Sequence, residues 1–213
     1  MKFNKNMLLL YAVTDRVRGG KETFSEQIEA ALKGGATIIQ LREKNLDEER
    51  FVALAIEVRE LCRKYHVPLI INDNVEVALK SGADGVHVGI EDAPVEEIRR
   101  RVGADFIIGA TCKTVEQAKA AEAAGADYMG VGAVFPSPTK TAAVRITNAQ
   151  LREIIACVSI PAVAIGGISY DNVCEIKGSG VSGVAVVSAI FAAENIEKTT
   201  ALLKERVKTL FET

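Results

Sequence analysis

The chain has 213 residues, 48% of them hydrophobic and 25% charged, which suits a single domain spanning 1–213 with a sizeable core. A formal net charge of -2 without a long basic block excludes the electrostatic footprint of a nucleic-acid binder or a membrane-surface protein. No segment approaches the roughly 20 apolar residues that span a bilayer, and Cys62, Cys112, Cys157 and Cys174 form neither a CxxC pair nor a ligand spacing with histidine. Small-molecule chemistry or protein contacts in a reducing cytoplasm remain, with a homo-oligomer left open.

The opening "MKFNKNMLLLYAVTD" carries an apolar run that stops at Asp15 without a small-residue cleavage site, and reads as a first strand from residue 7. An amphipathic helix follows in "FSEQIEAALKGG". The second strand, "TIIQLR" from 37, continues into "EKN" and mixes apolar with charged residues. Side chains two apart in a strand share a face, so Ile39 and Leu41 point one way and Gln40, Arg42 and Lys44 the other. Glu43 then faces away from Arg42. After the helix "DEERFVALAIEVRELCRKYH", the third strand "PLIIN" from 68 ends in Asn72 and Asp73. The fourth, "GVHVG" from 85, holds His87, which reads as a core residue, and is followed by Glu91 and Asp92.

The fifth strand, "FIIGA" from 106, runs into Thr111. Beyond the helix "TVEQAKAAEAAGAD", the sixth, "YMGVGAV" from 128, leads into "FPSPTKT", whose Lys140 is flanked by Thr139 and Thr141, a pattern suited to a loop that folds over phosphate. The helix "NAQLREIIACV" precedes the seventh strand, "PAVAIG" from 161, which ends in Gly166 and Gly167. The eighth, "GVAVVS" from 183, ends in Val187 and Ser188, and "NIEKTTALLKERVKTLF" is a last helix. The strands are short, nearly continuous in apolar character and rich in Ile and Val, as parallel strands covered on both faces are. A weak echo, "GGATIIQL", "SGADGVHV", "AGADYMGV" and "GSGVSGVAVV", places glycine between helix and strand, where it serves as a left-handed helix stop.

Eight alternations of strand and helix argue for a (β/α)8 TIM barrel, whose chemistry gathers at the C-terminal strand ends. Nothing after the first strand carries the GxGxxG of a doubly wound sheet. Arg42, Lys44 and Lys140 suit an anion larger than one carboxylate. Asp73 and Asp92 each read first as helix caps, but a carboxylate pair on adjacent loops also suits magnesium, which takes one or two carboxylates and completes its shell with water and substrate oxygens. The glycine pair after strand seven and the Val187-Ser188 end of strand eight read as a phosphate cradle of backbone amides.

In order along the chain, "YAVTD", "QLREK", "IND", "GVHVGIED", "IIGATCKT", "GADYMGVGAVFPSPTKT", "IPAVAIGGI" and "GVAVVSAIF" resemble the thiamine-phosphate synthase family. The resemblance implies a magnesium-dependent transferase that joins a hydroxymethylpyrimidine diphosphate to a hydroxyethylthiazole phosphate and releases pyrophosphate. It implies further that Gln40, Leu41, Arg42, Glu43, Lys44, Asn72, Thr111 and Lys140 hold the pyrimidine diphosphate, with Arg42, Lys44, Thr111 and Lys140 acting in catalysis. Asp73 and Asp92 would hold magnesium, and Ser137, Pro138, Thr139, Gly167, Val187 and Ser188 the thiazole phosphate. The chain differs from the family's common pattern at Ile90, Thr111, Lys113 and Ser137, where Gln, Ser, His and Thr are usual. Ala133 stands where the related thiazole tautomerases carry a catalytic histidine. The competing readings are another phosphate-binding barrel enzyme, a phosphosugar isomerase or epimerase or a thiazole tautomerase that Ala133 disfavours, and a ligand-binding relative without turnover.

Overall fold

A computed structural model of the protein describes residues 2–16, 22–136 and 145–211. Eight parallel strands bond in sequence order, and the last returns to the first: β1 (Leu10–Val13), β2 (Ile38–Leu41), β3 (Leu69–Asn72), β4 (Gly85–Val88), β5 (Ile107–Cys112), β6 (Tyr128–Gly132), β7 (Ala162–Ile165) and β8 (Gly183–Val186). Around this closed barrel lie α1 (Phe24–Lys33), α2 (Glu48–Lys64), α3 (Val75–Ser81), α4 (Val95–Val102), α5 (Val115–Ala123), α6 (Asn148–Ala156), α7 (Ser188–Phe191) and α8 (Ile196–Phe211). Strand ends shift by a few residues, Ser188 among them passing from β8 to the start of α7, and two segments differ more from the sequence reading. Residues expected to open the first strand form a 3-10 turn, Lys5–Leu8, capped by the Asn4 side chain, so that β1 begins later. Between β7 and β8 the described backbone makes only the short 3-10 turn Val173–Ile176, in a segment where Gly166, Gly167, Gly178 and Gly180 all take positive φ and so break helical continuity.

The caps follow from residue type. Thr23 and Thr147 form reciprocal capping boxes with Glu26 and Gln150, and Asp47 and Thr114 accept from third-residue amides.

The internal echo has a physical basis in this backbone. Gly35, Gly82, Gly125 and Gly180 have φ of 93, 66, 91 and 90 degrees, which turn the chain from helix or loop toward the barrel. Each is followed by a buried apolar residue, Ala36, Ala83, Ala126 or Val181. The next residue's amide then donates to the first or second residue of a strand already laid: Thr37 to Leu10, Asp84 to Leu69, Asp127 to Ile108 and Ser182 to Ala162. In three of the four the side chain adds a second bond, accepting from the backbone amides of Leu10, Leu69 and Ile108 at 2.9, 2.9 and 2.7 Å. The repeat is a bolt at the N-terminal face, once before each even-numbered strand.

Alternation along the strands splits the core into two. Outward-facing Leu10, Ile39, Leu41, Leu69, Ile71, Val86, Ile108, Met129, Val131 and Val184 pack against helix residues such as Ile28, Val58, Leu151 and Leu203. A smaller inner cluster holds Tyr11, Val13, Ile38, Ile70, Ile107, Tyr128, Val163 and Ala185, floored by Leu8.

The bolts predict where stability and activity separate. Asp127 accepts from the Ile108 amide and pairs with Arg99 Nη2, both at 2.7 Å. Asp127→Ala is expected to lower unfolding free energy by about 3 kcal/mol, since two charge-assisted bonds are lost and an amide and a guanidinium stay partly buried. Urea unfolding measures this, with turnover per folded molecule expected to change little.

Candidate active site

The C-terminal ends of the strands bring together most of the residues singled out from the sequence. Gln40 points into the barrel and is 5% exposed. The side chain of Leu41 is sealed in the outer core, so only its backbone faces the mouth. Arg42 stands partly buried at the rim, its backbone amide bound to Thr14 Oγ1 at 3.0 Å. Glu43 turns toward the end of β1 and pairs with Arg16 Nε at 3.5 Å. Burial pushes its carboxyl above the ordinary range, against the pull of Arg16 and Arg42. Glu43 therefore stands as an inner partner of Arg16. Lys44 reaches across to β3 and donates from Nζ to Asp73 Oδ2 at 3.0 Å.

The two aspartates are not helix caps. The N-cap of α3 is Asn74, whose Oδ1 accepts from the Val77 amide at 2.9 Å, and α4 starts at Pro94 without a side-chain cap. Asp73 takes a left-handed backbone conformation, φ 63 degrees, uncommon for a residue with a side chain and characteristic of functional turns. Asp92 Oδ2 accepts from the Gly89 amide at 2.6 Å, which folds the β4 loop back over the strand end. That fold brings the Asp92 carboxyl close enough to that of Asp73 for each to shift the other's titration. Burial raises the Asp92 carboxyl, and Asp73 adds to the rise over the opposing Gly89 amide. For Asp73 burial also pushes upward, but Lys44, Asp92 and Asn72 together bring it below the ordinary range. Two carboxylates held this close cannot both ionise without cost. Among the described residues no group of three or more His, Cys, Asp or Glu converges as a cage. A hard ion using both carboxylates must therefore take further oxygens from water or ligand, as magnesium does.

Below this rim a continuous polar line crosses the barrel. Gln40 Nε2 donates to Tyr11 Oη at 2.8 Å, Tyr11 Oη lies 2.7 Å from Tyr128 Oη, and Tyr128 Oη lies 3.1 Å from His87 Nδ1. His87 Nε2 meets Thr111 Oγ1, also at 3.1 Å. Burial dominates the titration of all three ring groups: both tyrosines are pushed well up, and His87 falls to about 4 despite the opposing field of Asp73. His87 is thus the satisfied interior residue expected from its strand. The two tyrosines were invisible as site residues, because "LLLYAVT" and "ADYMGV" read as apolar strands and the rings meet across 117 residues.

On the opposite rim, Gly166 and Gly167 take φ of 101 and 65 degrees. A Cβ on Gly166 would overlap Ala133, and one on Gly167 would overlap the backbone of Phe135 and Pro136. Glycine therefore lets the β7 loop lie directly on the chain leaving β6. Asn172 pins the loop, accepting from the Ser169 amide at 2.8 Å and donating to the Gly167 carbonyl at 2.9 Å; this residue carried no signal in the sequence beyond its type. Val187 precedes α7, which opens at Ser188 with no side-chain cap and leaves first-turn amides for another acceptor. Ser137, Pro138, Thr139 and Lys140 lie outside the described residues. Ile90 is exposed, and Ala133 is buried beneath the glycine pair.

With this geometry in view, a model of the family described as thiamine monophosphate synthase matches residues 10–190. The thiamine-phosphate synthase of Alkaliphilus oremlandii is 47% identical over 210 residues, covering 98% of this chain and 100% of that one. That of Clostridium botulinum is 43% identical over 207 residues, 97% of each chain. Among solved structures, a thiamine phosphate pyrophosphorylase from Pyrococcus furiosus matches with a TM-score of 0.88 and 40% identity over 97% of this chain and 98% of that one. An N-acetylmannosamine-6-phosphate 2-epimerase from Clostridium perfringens matches with a TM-score of 0.65 at 17% identity over 90% of each chain, a likeness of fold alone.

The buried imidazole gives the site an acid sensitivity. Its pKa in the folded protein, about 4, lies below the 6.5 of the free side chain, so the unfolded chain binds a proton first. The stability that His87 confers is whole above pH 6.5 and is lost as pH falls toward 4, by about 3 kcal/mol. Urea unfolding of wild type and His87→Gln should therefore show a stability difference that drifts against the wild type over that interval. A difference independent of pH would contradict it.

Proposed function

The chain belongs to the thiamine monophosphate synthase family, and on that premise we propose that it transfers a hydroxymethylpyrimidine group from its diphosphate to the nitrogen of hydroxyethylthiazole phosphate. Thiamine phosphate forms and pyrophosphate leaves. The observation that carries this reading is the rim: two carboxylates on adjacent loops that influence each other, neither of them a helix cap, with Lys44 bound to one of them and Arg42 on the neighbouring strand end. A single phosphate needs no such mixture of signs. A diphosphate that arrives with a divalent cation matches both halves of it.

In this reading Asp73 and Asp92 hold magnesium, which when bound stabilises the charge growing on the departing pyrophosphate. Arg42, Lys44 and Lys140 supply fixed positive charge to the same oxygens, and Lys44 exchanges its present contact with Asp73 for the ligand. Asn72 and Thr111 supply neutral donors, and Gln40 meets the pyrimidine from below. Gly167, Val187 and Ser188 receive the thiazole phosphate, with backbone amides at the uncapped start of α7, and the family resemblance assigns Ser137, Pro138 and Thr139 to the same ligand. Leu41 contributes only backbone, and Glu43 acts through Arg16. Bond breaking at a methylene attached to an electron-rich ring needs little proton transfer, so positioning and charge do most of the catalysis. This suits a barrel interior whose only described imidazole is buried and committed to Tyr128 and Thr111. It also disfavours the isomerase reading, which needs a paired acid and base. The whole of 1–213 serves as one barrel domain, and the free cysteines Cys62, Cys112, Cys157 and Cys174 suit a reducing cytoplasm.

Pyrophosphate should be released only when both substrates and magnesium are present; release that continues without the thiazole would end the coupling assignment. Arg42→Ala is expected to lower kcat/KM by about a hundredfold or more while shifting the melting temperature by only a few degrees, roughly what loss of a surface contact does. Parallel turnover and thermal unfolding measurements check this, and matched losses in both would make Arg42 structural.

A further inference from the structure

The polar line under the rim has a direction. An amide nitrogen can only donate. Because Gln40 Nε2 donates to Tyr11 Oη, the tyrosine accepts there and sends its own hydrogen to Tyr128 Oη at 2.7 Å. Tyr128, having accepted, sends its hydrogen to His87 Nδ1 at 3.1 Å. A ring whose Nδ1 accepts carries its hydrogen on Nε2, which donates to Thr111 Oγ1 at 3.1 Å. Thr111 then keeps its hydroxyl hydrogen for a partner beyond the line, and Gln40 keeps its carbonyl oxygen. Every hydrogen inside the line is committed once, and the donors and acceptors left for a ligand lie at its two ends, on the Gln40 amide and the Thr111 hydroxyl.

The backbone makes room for this line. A Cβ on Gly109 would overlap the Tyr128 ring and hydroxyl and crowd His87 Nδ1, and one on Gly130 would stand 3.1 Å from His87 Cε1. Both glycines lie on inward-facing strand positions, at a level where a barrel interior ordinarily holds branched apolar side chains. Tyr11 and Tyr128 are 1% and 0% exposed, and no shell of water need be invoked to satisfy their hydroxyls.

We propose that Tyr11, Tyr128 and His87 are positioning residues: a one-way hydrogen-bond chain through the barrel centre that fixes the Gln40 amide and the Thr111 hydroxyl, so that the pocket presents one acceptor from β2 and one donor from β5. The inference rests on the reading of Gln40 and Thr111 as contacts of a pyrimidine diphosphate, and adds what those contacts select. The acceptor suits a ring amino group. The donor suits an oxygen of the leaving diphosphate or a ring nitrogen. Exchanging the carbonyl and amide ends of Gln40 would reverse every hydrogen along the line, which gives the site a preorganised polarity.

The chain's two histidines, exposed His66 and buried His87, make the tautomer directly readable by long-range proton–nitrogen NMR on the whole protein. His87 is expected as the Nε2–H form; the Nδ1–H form overturns the proposal. In turnover, Tyr128→Phe should lower kcat about tenfold, the worth of one lost directing hydrogen bond. Placed on Thr111→Val, it should add less than about a twofold further loss. Independent, multiplicative losses would overturn the coupling, as would wild-type kcat in Tyr128→Phe. Should that variant not fold, Tyr11→Phe enters the same cycle with the same criteria. A wild-type protein that fails to join the two substrates would defeat the proposed function, while the tautomer would still report on the chain of bonds.

Discussion

A closed parallel barrel is a wall one residue thick, and every side chain on it must be inside or outside. Ile39 and Gln40 are neighbours in sequence, yet one packs against helices and the other meets Tyr11 across the barrel interior. The outer side fills with apolar residues because helices cover it. The inner side cannot do the same at the level of the mouth, where polar strand ends must face a ligand. Between the apolar floor of Leu8, Ile38, Ile70 and Ile107 and the charged rim lies a layer of hydroxyls, an amide and an imidazole. A layer buried that deeply is stable only if its members satisfy one another, since an unpaired polar group there costs about 1–3 kcal/mol. Mutual satisfaction, once required, also fixes direction.

The rim follows a different rule. There the groups carry charge, and their arrangement is electrostatically costly: Asp73 and Asp92 lie close together, the carboxyl of Asp92 pushed up by burial and that of Asp73 held down chiefly by Lys44. A stability-optimised surface would separate two carboxylates. Here the backbone works to join them, through the left-handed turn at Asp73 and the Gly89 amide on Asp92. Under the proposed function, a cation bound between them would relieve that cost.

How much of this was legible in sequence depended on the range of the interaction. The strands, and the gathering of Gln40, Arg42, Lys44, Asn72 and Asp73 at their ends, follow from local alternation and were readable. The glycine echo was readable as a pattern, but its meaning was not: the bond from Asp127 to Ile108 spans 19 residues and only the closed barrel explains it. Tyr11 and Tyr128 looked like strand filler because a tyrosine in an apolar run has no local mark for the fate of its hydroxyl. Asp73 and Asp92 looked like caps because local spacing allowed it, and Asn74 took that task at one helix while Pro94 opened the other without a side-chain cap. Glu43 sat in a charged run whose alternation separated it from Arg42, but its partner Arg16 lies on another strand's loop.

Four aspartates divide according to the end of the barrel at which they stand. Asp84 and Asp127 follow Gly-Ala, while Asp73 and Asp92 follow Asn72 and Glu91, and composition alone assigns all four to turns. Asp84 and Asp127 stand before the N-terminal ends of β4 and β6, where neighbouring strands begin with unpaired amides, and each carboxylate is drawn to one. At the C-terminal ends the strands finish in carbonyls, which a carboxylate cannot bond. Asp73 therefore turns to a lysine and to its fellow acid, and Asp92 finds one amide only because its loop doubles back to Gly89. The polarity of parallel strands thus decides which acids become fasteners and which are left with capacity for a cation. The backbone at that face presents carbonyls, so its acids must find lysines, distant loop amides or each other.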